Sequence, residues 1–441
     1  MDKIKAFEKL RSIGQQHLLN SFDTLEETEK QELLNQIDLL NIATFHIQQQ
    51  MVQTPQTPSK ETFEPFLDYT TNGNKENILK GQQLITEGKV GCILIAGGQG
   101  SRLKIDQPKG MYPVTLIAKK SLFQLFAEKV IAAGNLAGQK LHLAVMTAPQ
   151  NYTEIASYFV DHNFFGLDPS QIAFFVQEEL PLLNEEGDLF SDKKGHIAMG
   201  PDGNGSSLLH FYRSGVWDVW HDQGIRYTTY VLIDNPLADP FDAELIGCHF
   251  NLNTDVTLKC TERKNPQEKV GIIIKESGKI RVMEYSEMPE QEKLALDDQG
   301  QLKHRCANLS LFSFSMDFIE KTAFAKMPLH LAYKKGWKFE KFIFDILSSA
   351  DNVHALLYPR EECFAPLKNA EGENSLETVQ KALLARDCQV LEDLTGEPPP
   401  RSLIELSQDF YYPTNEMKRL WKGRKITTGG LIQANHKNEN H

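Results

Sequence analysis

Residues Val90-Gly91-Cys92-Ile93-Leu94-Ile95-Ala96 form a short apolar run that empties into Gly97-Gly98-Gln99-Gly100-Ser101-Arg102-Leu103, followed by Pro108-Lys109-Gly110-Met111. A strand with no polar alternation is buried on both faces, as in a parallel sheet covered by helices. Glycines just after such a strand let backbone N–H groups approach a ligand, because no Cβ stands in the way. Arg102 and Lys109 can then offset charge that amides alone could only orient. The run predicts a phosphate cradle at the end of a core strand. The bland alternative is a glycine turn with two surface cations.

Neither common phosphate motif fits. A P-loop needs G-x-x-x-x-G-K-[ST], and that spacing does not occur. A dinucleotide fingerprint needs a third glycine three residues after Gly100, where Leu103 stands.

Composition narrows the partners. The 441 residues are 41% hydrophobic and 24% charged. That is ordinary for a globular chain of about two to three domains. A formal charge of −12 argues against nucleic acid or an anionic membrane as the main partner. It leaves room for a phosphorylated small ligand held by a local cationic cluster. Six scattered cysteines without a C-x-x-C pair read as reduced thiols. With no apolar signal core at the start and no stretch of about 18 apolar residues, the expected compartment is the cytoplasm.

Along the chain, residues 1–60 read as a helical segment and linker. Thr24 and Glu27 suggest a capping box ahead of Leu33, Leu34, Ile37 and Leu40, and the Gln48–Pro58 stretch reads as a linker. Residues 61–365 alternate strands and helices. Strands are predicted at 91–96, 142–147, 172–176 and 227–233. A helix is predicted over 121–133, with Ser121 and Gln124 as its capping box. A hairpin is predicted across Ser277-Gly278. Phe339, Phe342, Ile343, Ile346 and Leu347 lie at helical spacing and place Lys341 on a helix. This rhythm predicts an α/β chain with a doubly wound, mostly parallel sheet. Residues 366–441 read as a short C-terminal element whose tail, from about residue 428, is polar enough to be disordered.

Three further segments carry candidate chemistry. Met199-Gly200-Pro201-Asp202-Gly203-Asn204-Gly205 is a second glycine-rich loop, in which Asn204 offers an amide to a base edge or sugar hydroxyl. Val231-Leu232-Ile233-Asp234-Asn235 ends an apolar strand in a carboxylate. Ligands of parallel α/β sheets bind beyond the carboxyl ends of the strands, so Asp234 is placed to hold Mg²⁺ against phosphates. Glu284-Tyr285-Ser286-Glu287 and Cys306-Ala307-Asn308 flank strands and also read simply as strand-end polar groups. No metalloprotease histidine spacing or nucleophile elbow is present.

In order, these segments resemble the eukaryotic-type UDP-N-acetylhexosamine pyrophosphorylases, within the UTP–sugar-1-phosphate uridylyltransferases. The resemblance runs from about residue 15 to 385. It rests on residues 94–103, Pro108-Lys109-Gly110-Met111-Tyr112, Phe174-Phe175-Val176-Gln177, Pro201-Asp202-Gly203-Asn204-Gly205 and Asp234-Asn235. It continues through Glu284-Tyr285-Ser286-Glu287, Glu340-Lys341-Phe342-Ile343-Phe344-Asp345 and Phe364-Ala365-Pro366-Leu367-Lys368-Asn369-Ala370.

The resemblance implies a Rossmann-like, GT-A-like nucleotidyltransferase core that takes UTP and a sugar 1-phosphate, with Mg²⁺. It implies that Ile95, Ala96, Gly97 and Gly98 lie along the uridine and phosphates, and that Gln177 and Gly203 recognise the uracil. Arg102, Lys109 and Lys341 would act on the phosphates in catalysis, Lys368 would contact them, and Asp234 would lie at nucleotide and metal. Asn204, Glu284, Tyr285 and Asn308 would face the sugar 1-phosphate. The implied sugar is N-acetylglucosamine, with glucose or a broad range as the rival. A catalytically silent nucleotide-sugar sensor is the rival from another class. The oligomeric state is left open, with a monomer expected. The chain departs from the pattern at Lys104, where a glycine usually stands, at Pro113, where an aspartate does, and in its shortened C-terminal domain.

Overall fold

In the computed structural model, which describes residues 1–54, 63–333 and 336–434, the apolar run becomes one strand of an eleven-stranded sheet. Its strands are β1 (Phe63–Pro65), β2 (Tyr69–Thr71), β3 (Val90–Ile95), β4 (His142–Thr147), β5 (Ile172–Val176) and β6 (Tyr227–Leu232). They continue as β7 (Val256–Glu262), β8 (Ile272–Glu276), β9 (Lys279–Met283), β10 (Cys306–Ser315) and β11 (Val353–Leu357). The main path runs β2-β11-β7-β10-β6-β3-β4-β5, and the β8–β9 hairpin joins it at β10. Along this path, among the described residues, only β10 is antiparallel to its neighbours.

Order decides where a ligand goes. The chain winds outward from β3 through β4 to β5, then returns to the other side of β3 as β6. The point between β3 and β6 is therefore a topological switch, where the loops at the strand ends part and leave a crevice. All six residues of β3 are buried, as its unbroken apolar pattern requires. The helix Leu122–Ala137 packs Phe123, Phe126 and Val130 into the same core as Cys92 and Leu94. Each of those three side chains contributes about 1.5–3 kcal/mol by leaving water. Ser121 caps this helix by accepting from the Gln124 N–H at 3.2 Å. Gln124 does not return the bond; its amide donates to Glu128.

The chain divides into two compact units. One contains residues 1–60, 177–206 and 326–345, and the other contains 61–176, 207–325 and 346–441. Residues 177–206 and 326–345, expected within the alternating core, thus group with the N-terminal helices. In the smaller unit, helices Lys3–Ser12, Glu27–Leu39 and Ile42–Gln53 enclose a cluster that includes Leu10, Leu33, Ile37, Phe45, Leu183 and Phe339. The helix Glu27–Leu39 is capped two residues later than expected. Glu26 and Glu29 form the reciprocal box, while Thr24 sits in a preceding 3₁₀ turn. The expected linker at 48–58 is helical up to Gln53, and its residues 55–58 lie outside the described residues.

Two other expectations are corrected. Residues 337–340 form a strand paired with 330–333, and residues 343–349 a 3₁₀ turn, so Lys341 follows a strand and is not on a helix. The C-terminal region is more ordered than its polarity suggests. A helix Leu376–Thr395 ends at Gly396, whose left-handed φ of 72° closes it in the manner glycine permits. Strand Gly430–Ile432 then pairs with Ile404–Leu406, and Ile432 is buried with Leu391, Leu394, Phe410 and Trp421. Disorder from residue 428 is therefore wrong for 430–432; residues 435–441 of that tail lie outside the described residues. All six cysteines are free thiols. No helix among the described residues is long and apolar enough to cross a membrane.

Candidate functional site

In the larger unit, the loops leaving β3 and β6 meet at the switch point. Lys109 Nζ lies 3.5 Å from Asp234 Oδ2, with both side chains mostly buried. The two residues are far apart in sequence and come together because their strands are parallel neighbours. The glycine loop is tied back by its carbonyls. Asn151 Nδ2 donates to Gly97 O at 3.2 Å, and the Lys109 N–H donates to Gly98 O at 3.3 Å. Asn151 itself is fixed, since its Oδ1 accepts from the Ala148 N–H. Arg102 is exposed beside this loop.

Gly98 is informative because the protein does not need it. Its φ is not left-handed, and a Cβ built there would meet nothing within 4 Å. The open space over Gly98 is where a ligand can approach the backbone. Gly100, by contrast, has a φ of 64° and needs glycine for conformational reasons. Lys104 also sits at positive φ, 58°, in the region where a residue with a Cβ is strained. Ile95 and Ala96 are buried at the strand end, where the Ala96 N–H donates to Met146 O.

Asp234 is tied to a second predicted segment. Its carbonyl accepts from the Leu367 N–H at 2.7 Å, and the next residue is Lys368, whose ammonium lies over the Phe364 ring. Asn235 braces the same segment, donating to Cys363 O and accepting from the Ala365 N–H.

The third group forms around β10. The Asn308 N–H donates to Gly271 O at 2.8 Å, and the position a Cβ would take on Gly271 lies 3.5 Å from Glu284 Oε1. Glu284 and Tyr285 are half-buried in the turn after β9. The Asn308 side chain holds a bulge: its Oδ1 accepts from the Ser310 N–H, and Ser310 has a φ of 54°. A non-glycine residue held at such a φ costs on the order of 1–3 kcal/mol and marks a place whose shape matters.

In the smaller unit, the second glycine loop folds against Lys341. The Lys341 N–H donates to Asp202 O, and the Gly205 N–H donates to Lys341 O. Gly203 has a φ of 85°, and a Cβ there would lie 2.3 Å from Lys341 O. Only glycine fits both demands. Lys341 Nζ donates to Ser206 Oγ at 3.0 Å and lies 3.6 Å from Asp202 Oδ2. Asn204 Oδ1 accepts from the Ile343 N–H. Gln177, the residue after β5 in the chain, is buried.

Thus the structure brings Lys109 to Asp234 and the Lys368 segment, Asn308 to Glu284, and Gly203, Asn204 and Lys341 to one another. Sequence reasoning missed Asn151, Gly271 and Ser206, whose roles are to hold loops. Only their contacts reveal them, because an isolated Asn, Gly or Ser carries no spacing signal.

A glycine cradle and a strand-end carboxylate at a topological switch define a nucleotide-binding α/β protein. Residues 46–427 match the family model described as UTP–glucose-1-phosphate uridylyltransferase, and the chain belongs to that family. It is 34% identical over 407 residues to a human UDP-N-acetylhexosamine pyrophosphorylase-like protein 1, covering 82% of this chain and 80% of that one. It is 31% identical over 392 residues to the UDP-N-acetylglucosamine pyrophosphorylase of Saccharomyces cerevisiae, covering 82% of each. Among solved structures, the uridine diphosphate N-acetylglucosamine pyrophosphorylase of Trypanosoma brucei, in complex with inhibitor, superposes with a TM-score of 0.75 at 26% identity. That match covers 89% of this chain and 87% of that one.

Proposed function

We propose that this chain joins UTP to N-acetylglucosamine 1-phosphate, giving UDP-N-acetylglucosamine and pyrophosphate. The observation that carries the reading is the meeting of Lys109 and Asp234 beside the open face of Gly98 at the switch point. The sugar phosphate oxygen attacks the α-phosphorus of UTP in line, and pyrophosphate leaves opposite. That oxygen is already an anion, so the protein's work is positioning and charge neutralisation rather than proton removal.

Lys109, with Arg102 and Lys341, neutralises phosphate charge in the transition state, and Lys368 contacts the same groups. Ile95, Ala96, Gly97 and Gly98 lie along the nucleotide, while Gln177 and Gly203 read the uracil. Asn204, Glu284, Tyr285 and Asn308 face the sugar 1-phosphate. The donor set suits Mg²⁺, which is held through one or two carboxylates plus substrate phosphates, and Asp234 supplies such a carboxylate. When bound, the ion offsets the charge of the triphosphate. Free thiols support a reducing compartment, the cytoplasm. The oligomeric state we propose is a monomer.

The test is pyrophosphate release with UTP, Mg²⁺ and a panel of sugar 1-phosphates. Turnover with the N-acetylated sugar supports the reading. Turnover with glucose 1-phosphate alone moves the chain to the glucose branch. UTP binding without any turnover makes it a nucleotide-sugar sensor.

A further inference from the structure

The turn that carries Asp234 encloses a buried ammonium. Lys129, on the helix Leu122–Ala137, is 4% exposed. Its Nζ donates to Pro236 O at 2.6 Å and to Ala238 O at 2.7 Å. The faces of Phe126 and Tyr411 lie 5.2 and 5.8 Å away. No carboxylate oxygen lies within salt-bridge distance of Lys129 Nζ among the ion pairs of the described residues. A buried ammonium loses its hydration, which is costly, and a methionine would fill the same space without that cost. What the ammonium does that methionine cannot is grip two carbonyls of one turn.

A second grip comes from the C-terminal region. The Tyr412 hydroxyl donates to the Asp239 carboxylate, whose Oδ1 also accepts from the Phe241 N–H. Lys129 and Tyr412 thus hold residues 236–239, just beyond Asp234. That residue's carbonyl and the side chain of Asn235 in turn carry the segment leading to Lys368. We propose that Lys129 and Tyr412 are positioning residues, which set Asp234 and Lys368 for the nucleotide by fixing the turn after β6.

Burial pushes the pKa of the Lys129 ammonium down to about 7, with Arg386 acting in the same direction and Asp239 and Asp387 opposing it. An ammonium kept at this cost, on backbone rather than on a carboxylate, serves the shape of the turn. This inference rests on the proposed reaction. It adds that the C-terminal region reaches the site through Tyr412.

The experiment compares the full chain with Lys129→Met, Lys129→Arg and Tyr412→Phe. It measures far-ultraviolet circular dichroism, melting temperature, UTP binding by calorimetry with Mg²⁺, and kcat and KM for the sugar 1-phosphate. A group misplaced by about 1 Å costs up to about 100-fold, so kcat of a folded Lys129→Met should fall roughly 10- to 100-fold. UTP affinity should weaken, KM for the sugar should stay within about twofold, and arginine should restore most of the loss. A folded Lys129→Met with kcat and UTP affinity within about twofold of the parent overturns the proposal. If methionine prevents folding, Tyr412→Phe, which removes only a hydroxyl, decides by the same criteria. A parent chain that binds UTP but turns over no sugar phosphate fails the proposed reaction. The UTP affinities of the variants then decide this inference separately.

Discussion

Lys109 and Gly98 make opposite demands on the chain, and substitutions separate them. Lys109→Ala removes the cation proposed to offset charge as it shifts on the phosphates. It should cost roughly 3 kcal/mol of transition-state stabilisation, about a hundredfold in kcat/KM. Pyrophosphate release under one set of conditions measures this, and activity within a few fold of the parent would remove Lys109 from the site. Gly98→Ala should leave stability alone, because the added methyl meets no protein atom. It should weaken UTP binding by about tenfold or more, since it fills the approach to the backbone. A matched pair of melting curve and UTP titration tests this, and unchanged affinity would show that the open face is not the ligand's.

His249 makes stability depend on pH in a different way. It is buried, its Nδ1 shares contacts with Thr254 and Thr257, and its Nε2 has no hydrogen-bond partner among the described residues. Burial holds its pKa down to about 4 from the ordinary 6.5. The unfolded chain therefore binds this proton more readily than the folded one. The neutral histidine's contribution is present above about pH 6.5 and is lost as pH falls toward 4, by about 3 kcal/mol at most. Urea unfolding at about pH 7 and pH 4.5 should show a smaller loss for His249→Gln than for the parent. Equal losses would mean that His249 is not the group responsible.

At the scale of elements, the C-terminal strand shows how a short apolar stretch in a polar tail gains order from its neighbours. Residues 430–432 are Gly-Leu-Ile within a mostly polar tail; pairing with 404–406 satisfies their backbone and seats Ile432 against Leu391 and Leu394 of the helix Leu376–Thr395. Ile432→Ala should cost about 2 kcal/mol, the low end for a buried aliphatic at the edge of a small cluster, and lower the melting temperature by a few degrees. No change in melting would show that the strand is not docked. The segment around Lys341 teaches the same lesson. Phe339, Phe342, Ile343, Ile346 and Leu347 have helical spacing, but 337–340 pairs with 330–333. Strand pairing between these near neighbours in sequence overrides the helical period there. By contrast, β3, β4 and β5 are legible to within a residue. β3 and β4, buried on both faces, leave an apolar run between polar turns. β5 is a bounded apolar run, Ile172-Ala173-Phe174-Phe175-Val176, though it is mostly half-buried at the end of the sheet.

At the scale of the whole molecule, the proposed choice of sugar is tested on the intact chain. An acetamido group brings an N–H, a C=O and a methyl that glucose lacks. Each buried partner left empty costs about 1–3 kcal/mol, which gives a preference of roughly ten- to several-hundred-fold in kcat/KM for the N-acetylated substrate. Measuring both sugars side by side tests this, and a ratio at or below one would reassign the sugar while leaving the reaction type untouched.

The sequence by itself determined the α/β class, the core strands and the glycine loop. These depend on local chemistry: apolar period, the freedom of glycine, and a carboxylate at a strand end. Tertiary structure alone decided that Lys109 meets Asp234, that Lys341 locks onto Gly203, that Asn151 ties down the loop, and that Lys129 and Tyr412 grip the turn beyond β6. Those pairings join residues distant along the chain. They follow from the order of strands in the sheet and from which buried polar groups must find partners, and neither is written at any single position.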